Sequence, residues 1–178
     1  MFFKIEWFQR FTPKKRTGNV IQSWDTNIYT GKHADPSVCL TAEIKDGVIH
    51  VIDVDSKKLE YHDLRRWVCE KAEQYDPEAI LLEDTLAGMS LIQDLRYSTG
   101  LPIIAIQPTR SKLERMARVV GMIEAGVLSI PKQAPWLGSF TSEVMSFPHG
   151  RSESQVDSLT QMLEWYRGRQ KPKPVRRI

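Results

Sequence analysis

The sequence predicts an α/β domain: a mixed β-sheet with an antiparallel three-strand start, then parallel strands, flanked by helices. Three observations carry that expectation. Two β-rich runs, SVCLTAEI and VIHVIDVD, are joined by Asp46-Gly47, a pair that tolerates the positive φ of a tight hairpin turn. Two short continuous apolar runs, AILLE and LPIIAI, read as buried strands. Around them, apolar residues recur at helical spacing, so strand and helix alternate as in βα units.

Taken in order, residues 1–18 form a lead-in segment in which Phe2, Phe3, Trp7, Phe8 and Phe11 are apolar before TPKKRTG breaks the pattern. It reads as a docking strap or linker. The domain proper is expected over 19–166. NVIQSW is a first strand with Asp25 at its end, and the polar, Gly-containing stretch after it is a turn. The hairpin follows. Leu64, Trp67, Val68, Lys71 and Ala72 place a helix over roughly Leu59 to Tyr75, closed by Asp76-Pro77. AILLE (79–83) is the central strand, MSLIQDLRYS a helix stopped by Gly100, and LPIIAI the next strand. A helix from about Ser111 to Glu124 ends at Gly126. VLSIPKQAPW holds a small strand-like piece and SFTSEVMSF a helix or turn. Val156, Leu159, Leu163 and Tyr166 define a last helix over Glu153 to Tyr166. Trp24, Trp67 and Trp136 are expected in the core, with Trp165 packed or near the surface.

Composition excludes several classes. At 178 residues, 41% hydrophobic and 26% charged, the chain has the make-up of one ordinary globular domain. No apolar run is long enough to span a membrane, and the charged N-terminus does not read as a signal peptide. Cys39 and Cys69 alone suggest neither a disulfide framework nor zinc; they read as buried thiols of a reducing cytoplasm. The net charge is only +3, yet residues 167–178 carry Arg167, Arg169, Lys171, Lys173, Arg176 and Arg177 and no acid. That segment reads as a disordered basic arm suited to a polyphosphate partner, or as a solubilising tail.

The chemistry resides in acids at element ends. Asp25 ends the first strand, and Glu83, with Asp84 beside it, ends AILLE. Glu153 and Asp157 share one face at the start of the last helix. In a mixed sheet the first and fourth strands can be neighbours, so Asp25 and Glu83 can stand side by side. Two carboxylates about 4 Å apart repel by roughly 4 kcal/mol at an effective dielectric near 20. Hard oxygen donors suit Mg²⁺ or Mn²⁺, and two such ions suit phosphodiester hydrolysis. Taken singly, such acids are common as helix caps and surface residues. Asp35 and Asp53 are read as turn and strand-surface residues.

Together, SWDTNIYTGKHADPSVCLTA, ILLEDTLAGMSLIQDL and FPHGRSESQVDSLTQMLEW resemble the three acidic motifs of the nuclease domain of phage terminase large subunits. PTRSKLERMARVVGMIEAGVLSIP resembles the family's basic helix. The resemblance implies a ribonuclease H-like fold and Mg²⁺- or Mn²⁺-dependent cleavage of double-stranded DNA during phage genome packaging. It points to Asp25, Glu83 and Asp157 as catalytic residues. Asp84 and Glu153 join them as possible metal ligands, Glu153 being the alternative to Asp157 as third acid. Ser154 stands where relatives often carry a further carboxylate, and Ser152 where a histidine is common. Arg110, Lys112, Arg115 and Arg118 are the candidates for DNA phosphates, and Gly88 for a tight turn beside the metal. An ATPase domain, a small terminase subunit and the portal are implied partners, in the host cytoplasm, with a monomer expected in isolation. No phosphate-loop motif G-x-x-x-x-G-K-[ST] occurs, so the chain is expected to be a nuclease portion that does not hydrolyse ATP. Two other readings are a junction resolvase on the same fold and a non-catalytic module that docks DNA or a motor.

Overall fold

The computed structural model describes residues 3–170. Seven strands form one sheet: β1 (Gln9–Phe11), β2 (Asn19–Asp25), β3 (Ser37–Lys45), β4 (Val48–Lys57), β5 (Ala79–Glu83), β6 (Ile103–Ile106) and β7 (Leu128–Pro131). Five helices cover it: α1 (Tyr61–Tyr75), α2 (Leu86–Ser98), α3 (Lys112–Glu124), α4 (Leu137–Ser146) and α5 (Ser154–Arg169). The strand order is β1-β7-β4-β3-β2-β5-β6. Only the β2–β3 and β3–β4 pairings are antiparallel; the others are parallel. The mixed sheet with a three-strand antiparallel start is therefore present. Asp46 and Gly47 both adopt positive φ, 52° and 74°, as the hairpin requires.

Two strands extend the sheet beyond the expectation. β7 pairs in parallel with β4, and β1 pairs with β7 through Gln9↔Ser129 and Phe11↔Pro131. Residues 9–11 of the lead-in segment are thus part of the sheet, and Phe3 and Phe8 are buried. A three-residue strand is too short to register as a period-2 pattern. At the other end α5 runs to Arg169, past the expected stop at Tyr166, so Arg167 and Arg169 are helical. The remainder of the expected basic arm, 171–178, lies outside the described residues. Among the described residues no helix is long and apolar enough to cross a membrane.

Strand alternation divides the core into two layers. Even-numbered residues Trp24, Ile80 and Leu82 point to one face, under α1 and α2, where Trp67 meets Trp24 edge-on at 4.9 Å. Odd-numbered Ile21, Ala79 and Leu81 point to the other, under α3, α4 and α5. Trp136 is only half-buried and packs edge-on against Phe140. Cys39 is buried and Cys69 half-buried, both as free thiols.

Helix α5 departs from a simple amphipathic pattern. It is buried nearly all round, including the polar Ser154, Gln155, Ser158, Thr160 and Gln161. Buried polar groups need partners, and these have them. Gln161 donates from Nε2 to Ser23 Oγ at 3.0 Å, the Trp24 carbonyl at 3.1 Å and the Leu81 carbonyl at 3.3 Å. Ser23 Oγ in turn donates to the Ser158 carbonyl at 2.7 Å. This network fixes α5 against β2 and β5 immediately before their last residues.

Asp53 is not the strand-surface acid expected. Its side chain and that of Asp55 pair with Lys71 Nζ on α1 at 2.9 and 3.0 Å. Lys71 lies on the buried face of α1, with Leu64, Trp67, Val68 and Ala72. A buried ammonium requires such counter-charges.

Candidate active site

β2 and β5 run side by side in parallel, with Ile21↔Ala79 through Trp24↔Leu82 in register. The next residues are Asp25 and Glu83. Both are odd-numbered, so both carboxylates turn toward α5, whose first turn carries Ser154 and Asp157. A cavity of about 540 Å³ opens here, and Asp25, Asp35, Glu83, Glu153 and Asp157 all line it.

The carboxyl groups carry the electrostatic signature of crowding. Asp25 is pushed up to about 7, first by burial and then by the charges of Asp157 and Glu83. Hydrogen bonds from Ser154 and Asn27 oppose that shift. Asn27 Nδ2 stands 3.1 Å from Asp25 Oδ2 and 3.1 Å from the Pro36 carbonyl, which fixes the amide beside the acid. Glu83 is raised by burial and by Asp157, against the opposing charges of Arg115 and Lys112. Asp157 is raised by burial, with Lys112 and Arg115 opposing and Glu153 adding. These are the burial and like-charge effects that an added cation would relieve.

The cation now nearest the acids is Lys112, the first residue of α3. Ser111 and Glu114 form a reciprocal capping box that fixes where α3 begins. Lys112 Nζ lies 2.7 Å from Asp157 Oδ2 and 3.2 Å from Glu153 Oε2. Burial pulls its pKa down, but bonds to and charges of Asp157 and Glu153 outweigh this and hold it up at about 12. Among the described residues no three His, Cys, Asp or Glu side chains are grouped closely enough to hold a metal ion as they stand.

Of the sequence-selected acids, Asp25, Glu83, Glu153 and Asp157 come together. Asp84, one residue out of phase, does not line the cavity and accepts from Gln107 Nε2 at 3.2 Å. The basic candidates do not form one exposed strip. Lys112 engages the acids, and Arg115 is buried at 7% exposure with its Nε lacking a partner. Arg118 Nε faces Glu164 at 3.9 Å, and Arg110 is exposed. Lys112 and Arg115 share a face of α3 beside the acids, Lys112 with its side chain half-exposed and Arg115 buried.

Gly88 answers to a different constraint from the tight turn expected. It lies in the first turn of α2, where a Cβ would stand 2.2 Å from the Glu83 carbonyl oxygen. Close backbone approach, not positive φ, requires glycine there. Sequence reasoning missed Asn27, Ser154 and Asp35 as site residues. Asn27 sits two residues beyond Asp25, an available signal; Ser154 stands at a carboxylate position of the third motif, but its hydrogen bond to Asp25 depends on how α5 meets β2.

The description "Terminase RNaseH-like domain" matches residues 22–163. No curated protein matches the sequence. Among solved structures, the large terminase nuclease from thermophilic phage G20c with bound magnesium superposes with a TM-score of 0.69 at 13% identity, over 89% of this chain and 93% of that one. The large terminase of thermophilic bacteriophage D6E gives 0.67 at 12% identity, over 92% of this chain but 44% of that one. This chain therefore spans less than half the D6E protein. The Fowlpox virus resolvase, solved with Holliday junction DNA, gives 0.55 at 13% identity, over 85% and 99% of the two chains. These likenesses carry the fold. The family match covers most of the chain and all of its clustered acids, and the chain belongs to the family of terminase ribonuclease H-like domains.

Proposed function

We propose that this domain is a divalent-metal-dependent endonuclease that cleaves double-stranded DNA during phage genome packaging. One observation carries the reading: Asp25, Glu83 and Asp157, from three separate elements, meet in one cavity with all three carboxyls raised by burial or mutual charge. All-oxygen, anionic donors fit Mg²⁺ or Mn²⁺ better than softer metals. Bound there, the ions would supply the positive charge that activates water and stabilises the leaving oxygen.

The chain's own residues have distinct parts in this reading. Asp25, Glu83 and Asp157 would hold the ions, with Glu153 as a fourth donor. Asn27 and Ser154 orient Asp25. Arg115, buried and close in charge to Glu83 and Asp157, limits the repulsion among the acids. Lys112 neutralises Glu153 and Asp157 in the metal-free protein, and would be free for a DNA phosphate if those acids were held by a metal instead. The G20c nuclease, described with bound magnesium, zinc and cobalt, supports divalent-metal binding here. Membership of the family supports a packaging role, with an ATPase domain, small subunit and portal as the partners this reading proposes. The likeness to a resolvase supports a second reading, cleavage of branched DNA.

Incubation with linear plasmid DNA in Mn²⁺, Mg²⁺ or excess EDTA tests the proposal. Cleavage that needs metal is the expected result. A folded protein that leaves DNA intact with either ion overturns it, and faster cutting of a four-way junction than of linear duplex selects the second reading.

A further inference from the structure

A second charged region lies away from the acids, on the sheet face that carries α1. At the β1 end of the sheet the surface is lined by residues of β1, β3 and β4, with Tyr75 contributed by α1. The segment 12–18 crosses there, leading from β1 at the sheet edge to β2. It frames a cleft of about 550 Å³ that shares no lining residue with the acidic cavity. Arg10, Lys14, Lys15, Arg16, Lys45 and Lys132 line this cleft, against Glu43 as the one acid among its lining residues. That local excess exceeds the net +3 of the entire chain. Concentrated charge of one sign in a concave surface focuses potential and gathers counter-ions.

Arg10 bonds the Pro131 carbonyl and Arg16 the Tyr75 ring, but the four lysines are not consumed by ion pairs. Lys14, Lys15, Lys45 and Lys132 form no salt bridge among the described residues. Glu43 is itself engaged, accepting from the Thr17 backbone N–H at 3.1 Å. The segment is also held in place. The Arg16 guanidinium stacks 5.2 Å from the Tyr75 ring, and Gly18 packs so closely that a Cβ would meet the Ile44 carbonyl at 2.5 Å. Fixing the backbone in advance lowers the entropy lost when the lysines engage a ligand.

We infer that this cleft is a second DNA contact, binding the phosphate backbone of duplex DNA without reading its sequence. The inference rests on the proposal that duplex DNA is the substrate. Lysine-rich, acid-poor surfaces bind phosphates by releasing condensed counter-ions, each contact steepening the salt dependence by about 0.9 in log–log slope.

The test is fluorescence anisotropy of a short duplex, with EDTA present throughout, across a salt series. A variant carrying Lys14→Ala, Lys15→Ala and Lys45→Ala is compared with one carrying Lys58→Ala, Arg66→Ala and Arg96→Ala, which removes equal charge from exposed positions elsewhere. The cleft variant is expected to bind about tenfold or more weakly, with a slope shallower by about 2.7, while the second variant keeps the wild-type slope. An unchanged slope in the cleft variant, or an equal loss in the other, overturns the inference. Inorganic triphosphate forms the remaining arm. If it raises the melting temperature through these lysines while duplex binding ignores them, the cleft takes small phosphate compounds and the DNA assignment falls. Because no metal is present, this readout stands or falls independently of cleavage.

Discussion

Two clusters of acids, one around Lys71 and one around Lys112, have the same parts and opposite outcomes. Around Lys71 one ammonium serves two carboxylates, Asp53 and Asp55, at 2.9 and 3.0 Å, and the Lys71 side chain is 11% exposed. Burial works against its charge, but the two acids overcome that and raise its pKa. Around Lys112 one ammonium, 51% exposed, reaches only Glu153 and Asp157, leaving Asp25 and Glu83 without a bonded cation among the described residues. There the acids are raised instead, Asp25 to about 7. In the first cluster both acids have a bonded cation, and the pairing holds α1 to β4. The second is short of positive charge, which is what a site awaiting cations requires.

The largest effect that separates them is expected at Asp25. Asp25→Asn should lower metal-dependent cleavage by about 10³-fold or more, since the charge that holds the ions and water is lost. The same substitution should stabilise the metal-free protein above neutral pH. Because the folded-state pKa is raised, the folded protein binds this proton more tightly than the unfolded chain. The stabilisation is complete in acid and is lost as pH rises toward and through about 7, amounting to about 4 kcal/mol. Urea unfolding in EDTA at several pH values checks it. A variant no more stable than wild type at pH 8 would mean that Asp25 is not under electrostatic stress.

Next in size is Lys71→Met. Removing the one cation of the first cluster leaves Asp53 and Asp55 facing each other in a largely buried site, at a cost of about 3 kcal/mol. In a chain of this length that lowers the melting temperature by roughly 6–12 °C. Metal affinity should be unchanged, because neither aspartate lines the acidic cavity. Tighter Mn²⁺ binding in this variant would show that the cluster is itself a latent metal site.

The contrast also marks what the sequence could disclose. Asp25 and Glu83 were legible because a carboxylate ending an apolar strand is visible in one dimension, and parallel pairing of β2 with β5 brings them together. Helical spacing puts Glu153 and Asp157 on one face without separating them, and only the family resemblance favours Asp157. Asp84 was not separable from Glu83 without knowing which parity faces α5. Lys112 and Arg115 are legible as cations sharing a helix face and as candidates for DNA phosphates, but helical periodicity gives a face and not its neighbour, so their approach to the acids is not legible. Lys71 was placed on the buried face of α1, yet Asp53, its partner on β4, was read as exposed. The ion pair depends on how α1 seats on the sheet. The edge strand β1 and the Gln161 network escaped for the same reason: each is defined by contacts far apart in the chain.

The smallest effect is expected at Lys112 and bears most directly on how the second cluster works. Lys112 itself is half-exposed, so its pairs with Glu153 and the more buried Asp157 contribute little, and Lys112→Met should change stability in EDTA by no more than about 1 kcal/mol. Its influence on metal binding should be larger than that and opposite in sign. In the wild type a divalent cation must displace an ammonium already bonded to Asp157 and Glu153; in the variant those oxygens are free. Mn²⁺ titration followed by electron paramagnetic resonance should therefore give a severalfold tighter dissociation constant for Lys112→Met, with Asp25→Asn as the weakened reference. Equal affinity in wild type and Lys112→Met would mean that metal binds beside the ammonium, through Asp25 and Glu83, and that Lys112 is a fixed part of the site rather than a stand-in for its cation. Looser binding in the variant would go further, making Lys112 a positioning residue that holds Asp157 ready for the ion.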